Sequence, residues 1–160
     1  ILGIILSLWI AQGQEEGVVT RVLDGDTIIV NAKRLRLENI DAPEKSQKSF
    51  DHIAIGRIST RFLSQLILGK KIIYKIVGAG KYGRSIATIF YNGENVNYLM
   101  IESGMAVATK YSHLDFRNAM YTARLKRAGI FKTQGFASPS YYRKLKRKFE
   151  ASKKIGYLNK

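Results

Sequence analysis

Four acidic side chains follow one another closely in the first third of the chain. Asp24 and Asp26 lie in the stretch VLDGDTIIV, and Asp41 and Glu44 lie in NIDAPE. Taken alone, an Asp-Gly step between apolar runs is typical of a β-hairpin, and DAPE is typical of a turn after a strand. A hairpin has no need of Asp26, however, and Asp is depleted in strands. Carboxylate oxygens are the ligands that Ca²⁺ and Mg²⁺ prefer, so the joint pattern suits a hard cation.

A basic residue, Arg36, lies between these two acidic stretches. Leu35 and Leu37 alternate with charged residues in a predicted strand, so a period of two places Arg36 on the face opposite the leucines. The two acidic stretches therefore occur on consecutive strands with a cation between them. This combination favours one shared site over two unrelated turns.

A glycine-rich stretch, GAGKYG, presents further candidate binding residues. It has the glycine spacing of a dinucleotide-binding loop. That loop must be followed by a helix whose N-terminus holds the pyrophosphate. Here the apolar and β-branched RSIATIFY follows, which predicts a strand. We therefore expect a hairpin loop that presents Lys81, Tyr82 and Arg84.

The candidate residues need a scaffold that joins strands from separate parts of the chain. In the first predicted helix, residues 50–68, the apolar positions Ile55, Ile58, Phe62 and Leu66 recur at helical spacing. The order of elements is α+β and fits a five-stranded OB-type β-barrel packed with about three helices and followed by a basic C-terminal extension. The predicted strands cover residues 18–23, 27–30, 34–40, 72–77 and 84–91, and the predicted helices cover 50–68, 96–103 and a segment that opens at SHLD, residues 112–115, which resembles a capping box, and ends at Gly129.

The charge balance indicates a polyanionic partner. The chain has 27 Lys and Arg residues against 12 Asp and Glu residues, a formal net charge of +15. Such an excess is typical of proteins that bind nucleic acid, an anionic membrane surface or another acidic polymer. The absence of cysteine excludes disulfides, thiolate metal sites and cysteine catalysis. No G-x-S-x-G elbow occurs, so a nucleophilic serine is not expected.

The two ends of the chain differ in composition from its middle. ILGIILSLWIA is a continuous apolar run of signal-peptide length, followed by small residues and the polar QEEG. We expect an exported protein, secreted or periplasmic, with residues 1–13 as a signal-peptide remnant; an uncleaved N-terminal membrane anchor or a buried first strand is the alternative. Residues 138–160 form a basic C-terminal tail with interleaved aromatics, either a short basic helix or a disordered segment. Its cations, which either follow nucleic-acid phosphates or are simply solvated, are Arg143, Lys144, Lys146, Arg147 and Lys148.

Three stretches occurring in order resemble the staphylococcal nuclease (thermonuclease) family: VLDGDT, RLRLENIDAPE and KYGRSIATIFYNGENVNYLMIESGMA. The resemblance covers residues 18–132 and includes the spacings and the intervening helix. The late SPSYYRK also resembles a C-terminal stretch of many bacterial members. The resemblance implies an OB-type barrel, with residues 14–137 as a nuclease domain. It further implies Ca²⁺-dependent hydrolysis of DNA and RNA, with endonucleolytic attack and 3′-phosphate products.

The same resemblance implies a metal site. Asp26 and Asp41 match the two carboxylate ligands of the calcium ion. Ala42 would add its backbone carbonyl, and Asp24 matches a nearby acid in the outer shell of the ion. The presence of Asp26 at the start of a strand is then explained by the metal that it holds.

Catalytic residues are implied in the same way. Glu44 matches the proposed general base, and Arg36 and Arg84 match the two phosphate-binding arginines. These types suit phosphodiester hydrolysis, because a carboxylate can deprotonate water and a guanidinium binds phosphate as a planar fork.

Substrate-contacting positions of the family match Lys81 and Tyr82. The tyrosines that line the family's nucleotide pocket fall at Lys110 and Ser112, so Tyr111 between them is the candidate for a base contact. We expect a monomer with no obligate protein partner and a possible N-terminal membrane tether. The alternative function is a non-catalytic nucleic-acid-binding module of the OB type, supported by the basic tail.

Overall fold

A computed structural model of the protein describes residues 13–158, and its main feature is a β-barrel. The strands are β1 (Gln14–Asp24), β2 (Thr27–Val30), β3 (Lys33–Leu37), β4 (Ile40–Asp41), β5 (Lys71–Ala79), β6 (Ser85–Tyr91), β7 (Glu94–Asn95) and β8 (Val107–Ala108). The sheet order is β3-β2-β1-β5-β6-β7, and a parallel pairing of β3 with β6 closes five of these strands into a barrel. This architecture confirms the predicted α+β fold with a five-stranded OB-type barrel.

Alternation along β3 gives the barrel an apolar interior and a polar exterior. Leu35 and Leu37 are buried, whereas the side chain of Arg36 between them lies on the other face and keeps partial exposure. The predicted strand over residues 34–40 is wrong in one respect. Asn39 has a φ of 64°, which breaks the extended backbone and separates β3 from the short β4.

Within the described residues, four α-helices pack against the barrel or extend from it: α1 (Ile55–Ile67), α2 (Val96–Glu102), α3 (Leu114–Leu125) and α4 (Pro139–Leu158). Two short 3₁₀ turns, Lys81–Gly83 and Gly129–Lys132, lie in the connections. The core lies between the barrel interior and α1, α2 and α3. Within residues 13–158, no helix is long and apolar enough to cross a membrane. The expected signal peptide or anchor lies almost entirely outside the described residues and stays a prediction.

Helix α1 starts five positions later than the sequence predicts. Residues 50–54 are held in a loop instead, because the backbone N–H of Ser49 donates to the carbonyl of Ile53 and His52 has a φ of 62°. The buried face also differs from the predicted stripe: Ile58 is 39% exposed. The residues that α1 buries are Ile55, Gly56, Ser59, Leu63 and Ile67.

The predicted capping box at the start of α3 is wrong. The N-cap residue is His113, and its side chain makes no capping hydrogen bond. Ser112 lies outside the helix, where its hydroxyl donates to the carbonyl of Thr109 at 2.7 Å. The Ser hydroxyl is therefore used to close the preceding turn.

The basic tail is helical, as one of the two sequence interpretations held. The start of α4 packs against the rest of the protein, since Pro139 is buried and Tyr142 and Arg143 are partly buried. Residues 144–152 are exposed. The helix thus extends outward from an anchored first turn.

Candidate active site

Asp26 is the most enclosed acid of the site. It lies just before β2, and only 3% of it is exposed. One carboxylate oxygen accepts from Arg36 Nη1 at 2.6 Å and from the Thr27 hydroxyl at 3.0 Å, and the other accepts from the Ala42 N–H at 2.9 Å. Burial raises the pKa of Asp26 to about 7, against the opposing effect of Arg36. The ionised form of this carboxylate is therefore stabilised by positive charge nearby, such as that of Arg36.

Arg36 bridges two carboxylates. Antiparallel pairing of β2 with β3 sets Arg36 beside Thr27, and hence beside Asp26. Its other terminal nitrogen, Nη2, donates to Asp41 Oδ1 at 2.9 Å. The guanidinium thus lies between Asp26 and Asp41 and uses one terminal nitrogen for each carboxylate.

Asp41 also contacts a residue from the far end of the chain, Arg143 in the first turn of α4. Nη2 of Arg143 donates to Asp41 Oδ2 at 2.8 Å, and its Nη1 lies 3.1 Å from Asp41 Oδ1 and 3.0 Å from Glu44 Oε1. Although burial lowers the pKa of Arg143, its bonds to the two carboxylates raise that pKa overall. One guanidinium therefore bridges Asp41 and Glu44.

Sequence reasoning missed this role for Arg143. It placed the residue in a basic tail, because 102 residues separate it from Asp41 and local patterns carry no information about that distance. The one signal in the sequence is SPSYYRK, which contains Arg143 and resembles a C-terminal stretch of the family.

Glu44 is placed by a tight loop before α1. Its N–H donates to Gln47 Oε1 at 3.3 Å, and its carbonyl accepts from the Gln47 N–H at 2.7 Å. Gly56 in the first turn of α1 approaches so closely that an added Cβ would lie 1.8 Å from the Glu44 carbonyl oxygen. The fully buried Gln47 also donates to the carbonyl of Ala137 at 2.8 Å, which ties the loop to the segment that leads into α4.

Arg84 supplies a guanidinium that is not engaged by any acid within the described residues. Its Nε is buried and has no hydrogen-bond partner there. Burial lowers the pKa of Arg84, and the nearby positive charges of Arg36 and Arg34 add to this effect. An unpaired, partly desolvated guanidinium is suited to receiving an anion.

A cleft of about 480 Å³ joins these groups. Its lining residues are Arg36, Glu44, Lys81, Tyr82, Arg84, Arg143, Lys146, Arg147 and Glu150. The structure therefore brings together the three predicted catalytic side chains and the two residues of the glycine-rich loop. Tyr82, with a φ of 61°, is 88% exposed at the rim.

Tyr111 is not among the residues that line this cleft. It is 83% exposed, and its ring lies under the ammonium group of Lys110 at 4.5 Å. The predicted base contact of Tyr111 is therefore not part of the cleft in this conformation.

Asp26 and Asp41 supply carboxylate oxygens of the type that a hard cation prefers, and in this structure those oxygens bind Arg36 and Arg143. Asp26 and Asp41 flank one guanidinium, and Asp24 lies behind them, accepting from the Asp26 N–H at 3.1 Å. Within residues 13–158 no group of three or more acidic, His or Cys side chains is close enough to hold a metal alone. Two carboxylates with a backbone carbonyl would fit a calcium ion that keeps several waters.

OB-type barrels bind oligonucleotides or oligosaccharides, and a cleft lined by arginines and lysines suits a phosphate-containing ligand. Residues 34–133 match the family described as "Staphylococcal nuclease homologue". The chain belongs to this family, as its sequence motifs predicted.

Three relatives illustrate the family. An "Uncharacterized endonuclease" of Haemophilus influenzae is 35% identical over 133 residues, covering 79% of this chain and 71% of that protein. A "Micrococcal nuclease" of Shigella flexneri is 31% identical over 145 residues, covering 80% of each. An "Uncharacterized endonuclease" of Escherichia coli O157:H7 is 42% identical over 95 residues, 56% of this chain and 58% of that protein.

Proposed function

We propose that this protein is a Ca²⁺-dependent nuclease that hydrolyses phosphodiester bonds in DNA and RNA, cutting within the chain and leaving 3′-phosphates. The observation that carries the proposal is that Arg36, Glu44 and Arg84 line one basic cleft, and that Arg36 is ion-paired with the buried Asp26 and Asp41. The family relatives named as nucleases support it.

In this proposal the metal ion is held by Asp26, Asp41 and the backbone carbonyl of Ala42, with Asp24 in its outer surroundings. Bound there, Ca²⁺ would supply Lewis-acid polarisation of a phosphoryl oxygen and a template for the substrate. Asp26 suits this role because its carboxylate is buried beside two other acids, Asp24 and Asp41, which repel its charge.

Glu44 is the proposed general base. Arg143 contacts only its Oε1, which leaves Oε2 without a partner among the described residues and able to accept a proton from water. The side chain is 40% exposed, so water can reach it. The tight loop with Gln47 fixes the backbone from which this carboxylate projects.

The arginines are proposed to stabilise the transition state. Arg84 is free to bind the phosphate that gains charge, while Arg36 fixes the two carboxylates and adds positive charge beside them. Lys81 and Tyr82 are proposed to contact the substrate at the rim of the same cleft.

The test is cleavage of single-stranded DNA by the full chain and by Glu44→Gln, with added Ca²⁺ and with a chelator. We expect cleavage only with Ca²⁺ and a loss of about 10²-fold or more in turnover for Glu44→Gln, as is typical when a general base is removed. Glu94→Gln, which removes an exposed acid outside the cleft, is the matched control. Binding without cleavage in any metal would instead favour a nucleic-acid-binding module.

A further inference from the structure

Residues 144–152 of α4 are exposed. Its first turn is anchored by the buried Pro139 and by the ion pairs of Arg143 with Asp41 and Glu44. From Lys144 onward the described side chains are exposed and add little to the core. The charged side chains on this part of the helix are therefore available to contact a ligand.

One face of α4 meets the cleft. The residues of this cleft face are Arg143, Lys146, Arg147 and Glu150, which are spaced at i, i+3, i+4 and i+7 and so lie on one side of the helix. Lys146 and Arg147 form no ion pair within the part of the chain that the structure describes. Their positive charges are therefore available to a ligand in the cleft.

The wall opposite the cleft face is also basic. It contributes Arg36, Lys81 and Arg84, and the buried Nε of Arg84 has no partner among the described residues. Of the nine lining residues six are Lys or Arg and two are Glu. Two basic walls across an open cleft repel each other unless an anion lies between them.

We propose that the cleft face of α4 is the second wall of a nucleic-acid groove, in which Lys146 and Arg147 bind phosphates that flank the phosphate held by Arg84. This inference rests on the proposed nuclease function and adds to it a binding surface outside the barrel. Arg143 acts as a positioning residue, because its guanidinium is occupied by Asp41 and Glu44 and fixes the helix against the site.

Two other cations of the helix serve as an internal comparison. Lys144 and Lys148 lie one turn apart, and neither lines the cleft. They share the outer side of α4 with exposed apolar groups such as Leu145. An anionic membrane would meet that outer side, whereas a polyanion in the groove would meet Lys146 and Arg147.

The experiment compares Lys146→Ala/Arg147→Ala with Lys144→Ala/Lys148→Ala in the full chain. Both double variants remove two positive charges from exposed positions of one helix, and circular dichroism checks that each is folded. The affinity for a fluorescent single-stranded oligonucleotide is measured by anisotropy in a chelator, at several salt concentrations. Cleavage rates with Ca²⁺ are measured in parallel.

We expect the cleft-face double variant to bind about tenfold more weakly and to lower the slope of log affinity against log salt by about 1.4, since each phosphate contact on a single strand contributes about 0.7. Its KM should rise while kcat changes little. The outer-face double variant should stay within about twofold of the wild type in affinity, with the same slope.

Equal weakening in the two variants would overturn the proposal in favour of diffuse attraction by net charge. Unchanged oligonucleotide affinity in the cleft-face variant, together with reduced binding to phosphatidylserine vesicles, would overturn it in favour of a membrane surface. A wild-type protein that fails to cleave while the two variants still differ in affinity would refute the nuclease function and leave the groove standing.

Discussion

At the scale of single residues, the cleft divides its charged groups into two sets with different tasks. Arg36 and Arg143 form ion pairs with the carboxylates of Asp26, Asp41 and Glu44. Arg84 remains without an acid partner in the described part of the chain. The two sets should therefore respond differently to mutation.

Replacing Arg84 by Lys keeps the charge but loses the fork-shaped set of donors. We expect kcat to fall by about 10²–10³-fold, the usual loss when a donor to a developing charge is removed, while KM changes less. Steady-state kinetics on a short oligonucleotide would measure this. Arg57→Lys, an exposed change on α1, should leave both constants near the wild-type values. An active Arg84→Lys enzyme would contradict the assignment.

Gly56 is predicted to control the position of Glu44. A Cβ at this residue would lie 1.8 Å from the Glu44 carbonyl oxygen, so Gly56→Ala must displace the loop that carries Glu44. We expect a clear loss of kcat and a lower melting temperature. Gly78→Ala is the matched control, because nothing lies within 4 Å of an added Cβ there. Wild-type kinetics in Gly56→Ala would show that the loop adapts without cost.

At the scale of elements, α4 depends on very few contacts. Arg143→Ala removes its ion pairs to Asp41 and Glu44, so that Glu44 loses its cation partner while Asp41 keeps Arg36. We expect faster amide exchange across α4 with no change in α3, because local opening follows the loss of local contacts. Hydrogen-exchange mass spectrometry would resolve the two helices. Lys144→Ala, at the neighbouring exposed position, should leave both exchange rates unchanged, and equal rates in Arg143→Ala would refute the anchoring role.

The elements also show what a sequence can and cannot predict. The strands were predictable because Leu35, Arg36 and Leu37 alternate with the period of the barrel wall. The start of α1 was not, because residues 50–54 are held by contacts with Ser49 and with the distant Gln134, whose carbonyl accepts from the Phe50 N–H at 3.1 Å. Such contacts exist only after the chain has folded.

The candidate site divides in the same way. Asp26, Asp41 and Glu44 belong to short motifs that can be recognised in the sequence. In the structure Arg36 binds both Asp26 and Asp41, and Arg143 binds Glu44. Arg143 itself joins the site from 99 residues beyond Glu44. Packing of the segment before α4, which includes the hydrogen bond from Gln47 to the carbonyl of Ala137, places it there.

At the scale of the whole molecule, binding of the proposed metal should raise stability. A ligand that binds only the folded state stabilises it by about 2.7 kcal/mol at 100 times its Kd, which is roughly 5–10 °C for a chain of this size. We expect Ca²⁺ to raise the melting temperature of the wild type by this order in differential scanning fluorimetry. Asp26→Asn, which removes one of the two carboxylates, should abolish the shift. The same shift in both proteins would place the ion elsewhere.

The parallel pairing of β3 with β6 forms the seam that closes the barrel, and this has a consequence for folding. Arg36 pairs with Ile86 only when β3 and β6 meet, and Arg84 directly precedes β6. A pairing between strands so far apart in sequence requires closure of the loop between them. Arg36 and Arg84 therefore share one cleft only in the closed barrel. A chain in which this seam has not formed carries the same residues without the cleft that joins them.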